Sequence, residues 1–360
     1  MNYQIQVSQE TEDKEWDAFL AQTPGGHHVQ TSLWAQVKAM LGWRVSRVIA
    51  RQGSQILGGA QLLIRPMAPF GAVGYVAKGP LLASHNPVLA ALVIDQLRQM
   101  AKEYKLQCFI VQPPDHDEAF VHYLPRLGFH QSVVNVGPTA TVKIDLSAEA
   151  DALLAGMKKA TRKHIRRGLR EGVTVREGTD QDLDTFYQLL GATAQRQGFV
   201  PYPSDYFGEM WRLFHPPGYA RLFIAEVGGE AVAAHWVVPF GDTLISKYGG
   251  WSGQYGQHRP NEVLDWEVIM WAKSNGYRYH DLEGIDEEAA QALFQEGILP
   301  ESFQQTPTSY KLGFGGQVTH LPKPYICFCN PVIDLTYKTA LPQIRNFSAI
   351  QKVIHRWRTP

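Results

Sequence analysis

The stretch Thr139–Glu177, TATVKIDLSAEADALLAGMKKATRKHIRRGLREGVTVRE, decides how the chain divides. Thr139 to Leu146 reads as a strand that leads into a helix. Ser147 is placed to cap that helix, and Glu149 and Asp151 fall in its first turn, where negative charge suits the N-terminal end of the dipole. Leu154, Met157, Thr161, Ile165 and Leu169 recur at spacings of three and four, which puts them on one face. Lys158, Lys159, Arg162, Lys163, Arg166, Arg167 and Arg170 occupy the others. Gly156 and Gly168 weaken a single continuous helix and mark where it breaks or bends. Gly172 suits a C-terminal cap, and Val173–Val175 starts a new extended run. Charge alone supports two readings of this helix. One is a solvated face at a domain junction, and the other is a contact with a polyanion.

The rest of the chain sets bounds on both. With 360 residues, two domains are expected rather than one core. Apolar residues make up 44% and charged residues 19%, the proportions of a globular protein. The formal charge is zero, which argues against a chain that coats nucleic acid but leaves room for local basic patches. Cys108, Cys327 and Cys329 cannot form a disulfide framework, and Cys327–Cys329 is a lone C-x-C without a second pair to complete a zinc site. None of the 13 histidines has a partner at metal-ligand spacing, so no metal and no cofactor is expected. The first residues lack an apolar signal core, and no run reaches the length of a membrane span. A cytoplasmic protein is expected, with room for peripheral contact at the inner face of the membrane.

Before the junction, residues 3–8 read as a strand and Glu12–Leu20 as a helix. A helical QTSLWAQVKAMLGW follows. Arg44–Ala50 and Ile56–Ile64 form a hairpin, Val73–Val76 a third strand, Pro87–Lys105 an amphipathic helix and Leu106–Val111 a strand. After the junction the order repeats. Helices Leu183–Gln197 and Tyr206–Phe214 precede the hairpin Arg221–Val227 and Ala231–Val238. Strand Thr243–Tyr248, helix Asn261–Asn275 and strand Arg278–Leu282 follow. Ala50-Arg51 answers Ala225-Glu226, Ala101-Lys102 answers Ala272-Lys273, and Lys38 answers Arg212, all at a nearly constant offset. That is the mark of a duplicated α/β unit. Its element order is that of an acyl-CoA N-acetyltransferase-like (GNAT-like) fold with mixed sheets. Such enzymes hold the CoA pyrophosphate on the backbone N–H groups of a glycine-rich turn of the form [RQ]-x-x-G-x-[GA]. Neither VAKGPLLASHNPVL nor KYGGWSGQYGQHRPNEVL supplies one.

Six segments in order carry a family resemblance. They are VQTSLWAQVKAMLGW, YVAKGPLL, the block TVKIDLSAEADALLAGMKKATRKHIRRGLREGVTV, SKYGGWS, PNEVLDWEVIMWAKSNGYRYHDLEGI and SYKLGFGG. Together the chain resembles the FemABX family of peptidoglycan-bridge aminoacyltransferases. The resemblance implies tandem GNAT-like domains. Residues 1–145 would form the first and 146–318 the second, opening with the basic helix. Residues 319–360 would return to the first domain and end in a basic helical tail. No sustained heptad marks the coiled-coil arm that some members carry. The implied reaction moves an amino acid from aminoacyl-tRNA to an amine on the stem peptide of a UDP- or lipid-linked peptidoglycan precursor. Two other readings stay open. One is an N-acyltransferase of the same fold using another donor, and the other is a non-catalytic module that binds tRNA or precursor.

The resemblance also implies roles. Lys311, paired with Tyr310, stands where the family places an aromatic–lysine pair near the donor, in what reads as a strand. A lysine there would stabilise the oxyanion. Lys38 and Arg212 match positions that hold the precursor diphosphate, and Tyr248 matches a tyrosine near the precursor. Arg162, Lys163 and Arg166 would contact the tRNA backbone. Lys78 could add charge at a turn or simply be solvated, while Asp281 and Glu283 could offer a general base but are rather expected to satisfy backbone or basic partners. One departure concerns the base: Gln112 stands where several members have aspartate, and Asp115 lies three residues on.

Overall fold

The computed structural model describes residues 3–331, apart from 68, 70, 116 and 134, together with 334, 335 and 337. The expected helical tail from Thr336 onward therefore lies outside the described residues, save Tyr337. The chain forms two compact units, one of residues 1–137 with the chain from Leu321 on, the other Pro138–His320.

The first unit runs β1 (Gln4–Ser8), α1 (Lys14–Gln22), α2 (Ser32–Ala39), β2 (Arg44–Gln52), β3 (Gln55–Pro66), β4 (Ala72–Val76), β5 (Leu81–Leu82), α3 (Pro87–Glu103), β6 (Leu106–Val111), α4 (Glu118–Tyr123) and β7 (His130–Gln131). The second runs β8 (Ala140–Asp145), α5 (Ala150–Gly156), α6 (Lys159–Arg170), β9 (Val173–Glu177), α7 (Leu183–Gln197), α8 (Ser204–Phe214), β10 (Arg221–Val227), β11 (Glu230–Phe240), β12 (Thr243–Trp251), α9 (Pro260–Ser274), β13 (Tyr279–Gly284), α10 (Glu287–Glu296), α11 (Pro307–Gly313) and β14 (Gln317–His320). β15 (Tyr325–Phe328) rejoins the first sheet.

The sheet orders are β1-β2-β3-β4-β6-β15-β7 and β9-β10-β11-β12-β13-β8-β14, so the seven-strand paths of the two units match, and the first adds β5 against β3. In each, the strand after the hairpin pairs in parallel with the one that follows the long helix, β4 with β6 and β12 with β13. The duplicated residues fall on equivalent irregularities. The β2–β3 ladder shifts register between Ala50 and Arg51, and the β10–β11 ladder between Ala225 and Glu226. Ala101 and Ala272 are both buried under their sheets, in the last turns of α3 and α9.

The matching orders also correct the domain boundary. β8 is not the last strand of the first unit. It pairs with β13 and β14 in the second sheet, in the place that β15 takes beside β6 in the first. The physical reason is burial: Ala140, Val142 and Ile144 lie in the core with Val263, Val268 and Leu282.

The deciding stretch forms two helices rather than one. α5 ends at Gly156, and Met157 and Lys158 adopt extended ψ angles of 160° and 144° before α6 begins. Ser147 is not the cap, since the α5 N-cap is Glu149. Gly172, at φ 81°, takes the left-handed step past the end of α6 that glycine permits. Restarting the helix rotates its faces. Ile165 and Gly168 face inward, whereas Leu169 is 46% exposed. Gly168 lies directly on α9. A Cβ there would stand 2.5 Å from Val263 Cγ2 and 2.6 Å from the His258 carbonyl oxygen. A branched side chain must push α6 off α9. Gly168→Val is expected to destabilise the chain by about 1–3 kcal/mol. A thermal midpoint equal to that of the parent would overturn this account of the contact.

Candidate functional site in the second unit

β12 and β13 pair over Thr243–Ile245 and Tyr279–Asp281, and both depart from regular geometry immediately afterwards. On β12, Lys247 is the extra residue between Ser246, opposite Val237, and Tyr248, opposite Trp236. On β13, Leu282 and Glu283 face only Val142 of β8. The carboxyl ends of parallel strands are where sheets of this kind present ligand sites.

Asp281 builds the β13 bulge. Its Oδ1 accepts the Glu283 backbone N–H at 2.7 Å. The Thr141 hydroxyl sits between the Asp281 carboxylate and the Glu283 carbonyl, 2.9 Å from the latter. Glu283 is thereby held at φ 59°, a left-handed conformation that costs a non-glycine residue about 1–3 kcal/mol. Its carboxylate accepts from Lys247 Nζ at 2.5 Å. Asp281 and Glu283 thus serve a backbone partner and a basic one, respectively.

The bulge turns two carbonyls toward Lys311. Lys311 Nζ donates to Gly284 O at 2.7 Å and to Glu283 O at 3.4 Å. Burial pulls the Lys311 pKa down, opposed by the charges of Glu283, Asp281 and Asp265. An ammonium has three N–H bonds, so a third remains for an oxyanion. Lys311 lies on a helix, not on the strand its apolar neighbours suggest. Thr306 and Pro307 start that helix and the glycine run from Gly313 stops it.

The same glycines seat α11 in the α5–α6 break. The Lys158 N–H donates to Gly313 O at 2.9 Å, and a Cβ on Gly313 would come 2.6 Å from Thr161 Oγ1. Arg162 spans the break, donating from one NH group to Ala155 O at 2.9 Å and to Met157 O. This changes the expected place of Arg162. Its guanidinium ties off the end of α5, where carbonyls lack helical partners. Lys163 and Arg166 are exposed on the outer face of α6.

Tyr310, beside Lys311, donates its hydroxyl to Asp265 Oδ2 at 2.6 Å while its ring stays 38% exposed. Burial of the hydroxyl and the Asp265 charge push its pKa up. The other carboxylate oxygen of Asp265 lies 2.7 Å from His235 Nδ1 on β11. Burial alone would raise the Asp265 pKa, but His235 and the Tyr310 hydroxyl outweigh it and leave it lowered. His280 completes the group. Its Nε2 is 3.0 Å from Ser246 Oγ, and burial, with His235 nearby, lowers its pKa to about 3 and keeps it neutral. Asp265, His235 and His280 are absent from the sequence-based set. Metal-ligand spacing does not single these histidines out. The usable signal was His235, a polar residue inside the apolar run AVAAHWVV. Among the described residues no group of His, Cys, Asp or Glu is arranged to hold a metal.

Tyr248 lies on the opposite face of the sheet. Its hydroxyl is 3.4 Å from that of Tyr206, which stacks on Tyr202 at 4.3 Å, and Phe207 packs edge-on. Burial raises the pKa of Tyr248 well above the ordinary phenol value. The structure therefore puts Tyr248 in a tyrosine cluster on the face of the sheet away from His235. Arg212, on α8, is exposed and held by Glu209 at 2.7 and 2.6 Å through Nε and one NH group. Its other N–H bonds leave room for a second anion.

In the first unit, Lys38 lies 5.1 Å from the Trp34 ring on α2. Gln112 is buried, and its side chain accepts the Tyr75 hydroxyl at 2.8 Å. Asp115 is ion-paired with Lys78, itself at φ 52° before the cis Gly79–Pro80 bond. The carboxylate nearest Gln112 in sequence is therefore already matched to a cation.

The helix starts that would receive a CoA pyrophosphate do not fit one. α3 and α9 both begin with proline, which lacks an N–H. At α3 the Asn86 side chain accepts the Leu89 N–H at 3.0 Å. At α9 the preceding loop is covered by Gly168 of α6, against the His258 and Arg259 carbonyls.

Comparison with known proteins agrees with this architecture. Residues 11–123 match the FemAB family and residues 156–290 an acetyltransferase (GNAT) domain. A lipid II:glycine glycyltransferase of Staphylococcus aureus (strain MRSA252) is 27% identical over 305 residues, covering 80% of this chain and 72% of that one. The crystal structure of FemX superposes with a TM-score of 0.80 at 18% identity, over 94% of this chain and 99% of that one. A tandem GNAT protein from the clavulanic acid biosynthesis pathway gives a TM-score of 0.54 at 11% identity, over 92% and 99% of the two chains. Duplicated GNAT-like sheets and these matches agree, and together they support the FemABX family of acyltransferases for this chain.

Proposed function

We propose that the chain transfers an amino acid from aminoacyl-tRNA to an amine on the stem peptide of a peptidoglycan precursor, extending the interpeptide bridge. The observation that carries the reading is that both helix starts open with proline and lack a glycine-rich phosphate turn. A donor that is an ester of a tRNA has no pyrophosphate to seat there. The acceptor class follows from the glycyltransferase relative, whose name states lipid II and glycine.

The chemistry asks little beyond placement. The aminoacyl ester is already activated, so an amine attacks it directly once the two are aligned. Negative charge then develops on the carbonyl oxygen, and the third N–H of Lys311 is the donor for it. Lys38 and Arg212 are proposed phosphate contacts, and Tyr248 with its tyrosine neighbours a contact for the precursor. Arg162 acts as a brace, which leaves Lys163 and Arg166 as the proposed tRNA backbone contacts. Among the described residues no helix is long and apolar enough to cross a membrane. Contact with a lipid-linked acceptor would then be peripheral, at the cytoplasmic face.

Mixed charged tRNA and UDP-linked or lipid-linked muramyl pentapeptide should give amino-acid transfer that ribonuclease abolishes. Transfer that persists after ribonuclease, or none from any charged tRNA, overturns the donor assignment. Removing Lys163 and Arg166 together should lower kcat/KM for tRNA about tenfold at low salt and flatten the log–log salt dependence by about 2. An unchanged slope would remove both residues from the tRNA contact.

A further inference from the structure

The reaction needs a proton acceptor, and the proposed transfer supplies none by itself. A lysine-type amine, with an ordinary pKa near 10.4, arrives as ammonium at neutral pH and must lose a proton before it attacks. Gln112 cannot take that proton, and Asp115 is paired with Lys78.

The second unit holds a better-placed group. Asp265 Oδ1 lies 2.7 Å from His235 Nδ1, while Oδ2 accepts the Tyr310 hydroxyl. When one imidazole nitrogen carries the proton shared with a carboxylate, the other bears the lone pair. His235 is buried enough to be held, yet 11% of its side chain remains exposed. An opening adjoins it. His235 pairs across the ladder with Gly249 of β12, so the two residues point to the same side of the sheet. Gly249 is exposed, and a Cβ built on it meets nothing within 4 Å. The next residue shows the contrast, since a Cβ on Gly250 would strike Leu189 and Leu190 of α7 within 3 Å. Gly249 therefore leaves a notch on the α9 side, one strand from His235. Tyr310 ties the dyad to α11, where Lys311 is the next residue.

We propose that His235, oriented by Asp265, takes the proton from the attacking amine, and that the amine reaches it through the notch at Gly249. This rests on the transfer reading above. In the balanced step the ammonium nitrogen gives one proton to His235 Nε2 and forms its bond to the ester carbonyl carbon. The carbon–oxygen bond to the tRNA ribose then breaks. The nitrogen's second proton leaves with that ribose oxygen, and the amide keeps the third. Tyr310 is a positioning residue that acts on Asp265. Asp265 on α9 and His280 on β13 lie against His235, Tyr310 on α11 lies against Asp265, and Lys311 and Glu262 act on the group through Asp265 and Tyr310 respectively. Glu283, with Lys247, lies beyond them.

In the transfer assay, His235→Gln is expected to lower kcat by 10²- to 10³-fold with KM for the precursor within about threefold. The variant should also lose the rising limb of the pH–rate profile that the parent shows. Asp265→Asn should lower kcat with the fold intact, because the amide can present the wrong group to Nδ1. A parent-like pH profile in His235→Gln overturns the proton role while leaving the transfer reading in place. A second measurement needs no turnover. Diethyl pyrocarbonate should modify His235 in the intact protein, read by peptide mass, and Gly249→Leu should protect it. An unreactive His235 in the folded parent overturns the proposed access whatever the transfer assay gives.

Discussion

Lys311→Met is expected to lower kcat by about 10²- to 10³-fold while changing stability by no more than about 2 kcal/mol. The two effects separate for a physical reason. The lysine donates to the Gly284 and Glu283 carbonyls, and losing one good and one long hydrogen bond costs on the order of 1–3 kcal/mol. Against that, methionine no longer carries a charge out of water, and burial is the largest influence on this ammonium. The terms nearly offset. Nothing offsets the loss in the transition state. There the third N–H meets an oxyanion in a site of low dielectric, and removing one such donor typically costs about 10²- to 10³-fold. Lys311→Arg keeps the charge but replaces three rotatable donors with a planar fork, so it should recover only part of the rate. A Lys311→Met variant within threefold of the parent kcat would remove Lys311 from the chemistry.

Much of the architecture was legible because it depends on short-range pattern. The α3 helix follows from Asn86-Pro87 and buried residues at helical spacing, and the hairpins follow from apolar runs on either side of the turns RQGSQ and GGE. The duplication was legible in Ala50-Arg51 and Ala225-Glu226, which mark equivalent register shifts. The site was legible where a motif names a residue, as with Lys311 and Tyr310. It was not legible where function depends on contacts between distant segments. His235 meets Asp265 only after β11 is laid under α9, and Asp281 meets Thr141 only across the β13–β8 ladder. The basic block shows both limits. Its charge suggests a polyanion contact, but only packing shows that Arg162 closes α5 and that Gly168 covers the start of α9.

The second large effect is expected at a residue that touches no substrate in the proposed reaction. Asp281→Ala should destabilise the chain by about 3 kcal/mol and lower kcat by at least tenfold. Asp281 Oδ1 accepts both the Glu283 N–H and the Thr141 hydroxyl, and bonds to a charged acceptor contribute about 1.5–3 kcal/mol each. Without it, Glu283 keeps the strain of φ 59° and loses what imposes it. The favoured response is for the bulge to relax toward regular β geometry. That relaxation turns the Glu283 and Gly284 carbonyls away from Lys311 Nζ and unseats the donor. Glu283→Gly separates conformation from contact. Glycine accepts φ 59° freely, so the bulge should persist, and only the Lys247 partner is lost. The glycine variant is therefore expected to keep parent-like stability within about 1 kcal/mol and most of its kcat. If Asp281→Ala kept full kcat despite its lower thermal midpoint, the bulge would be a structural detail and Lys311 would be held by something else. If Glu283→Gly lost as much activity as Asp281→Ala, the Glu283 carboxylate and its pairing with Lys247 would matter more than the conformation of the bulge.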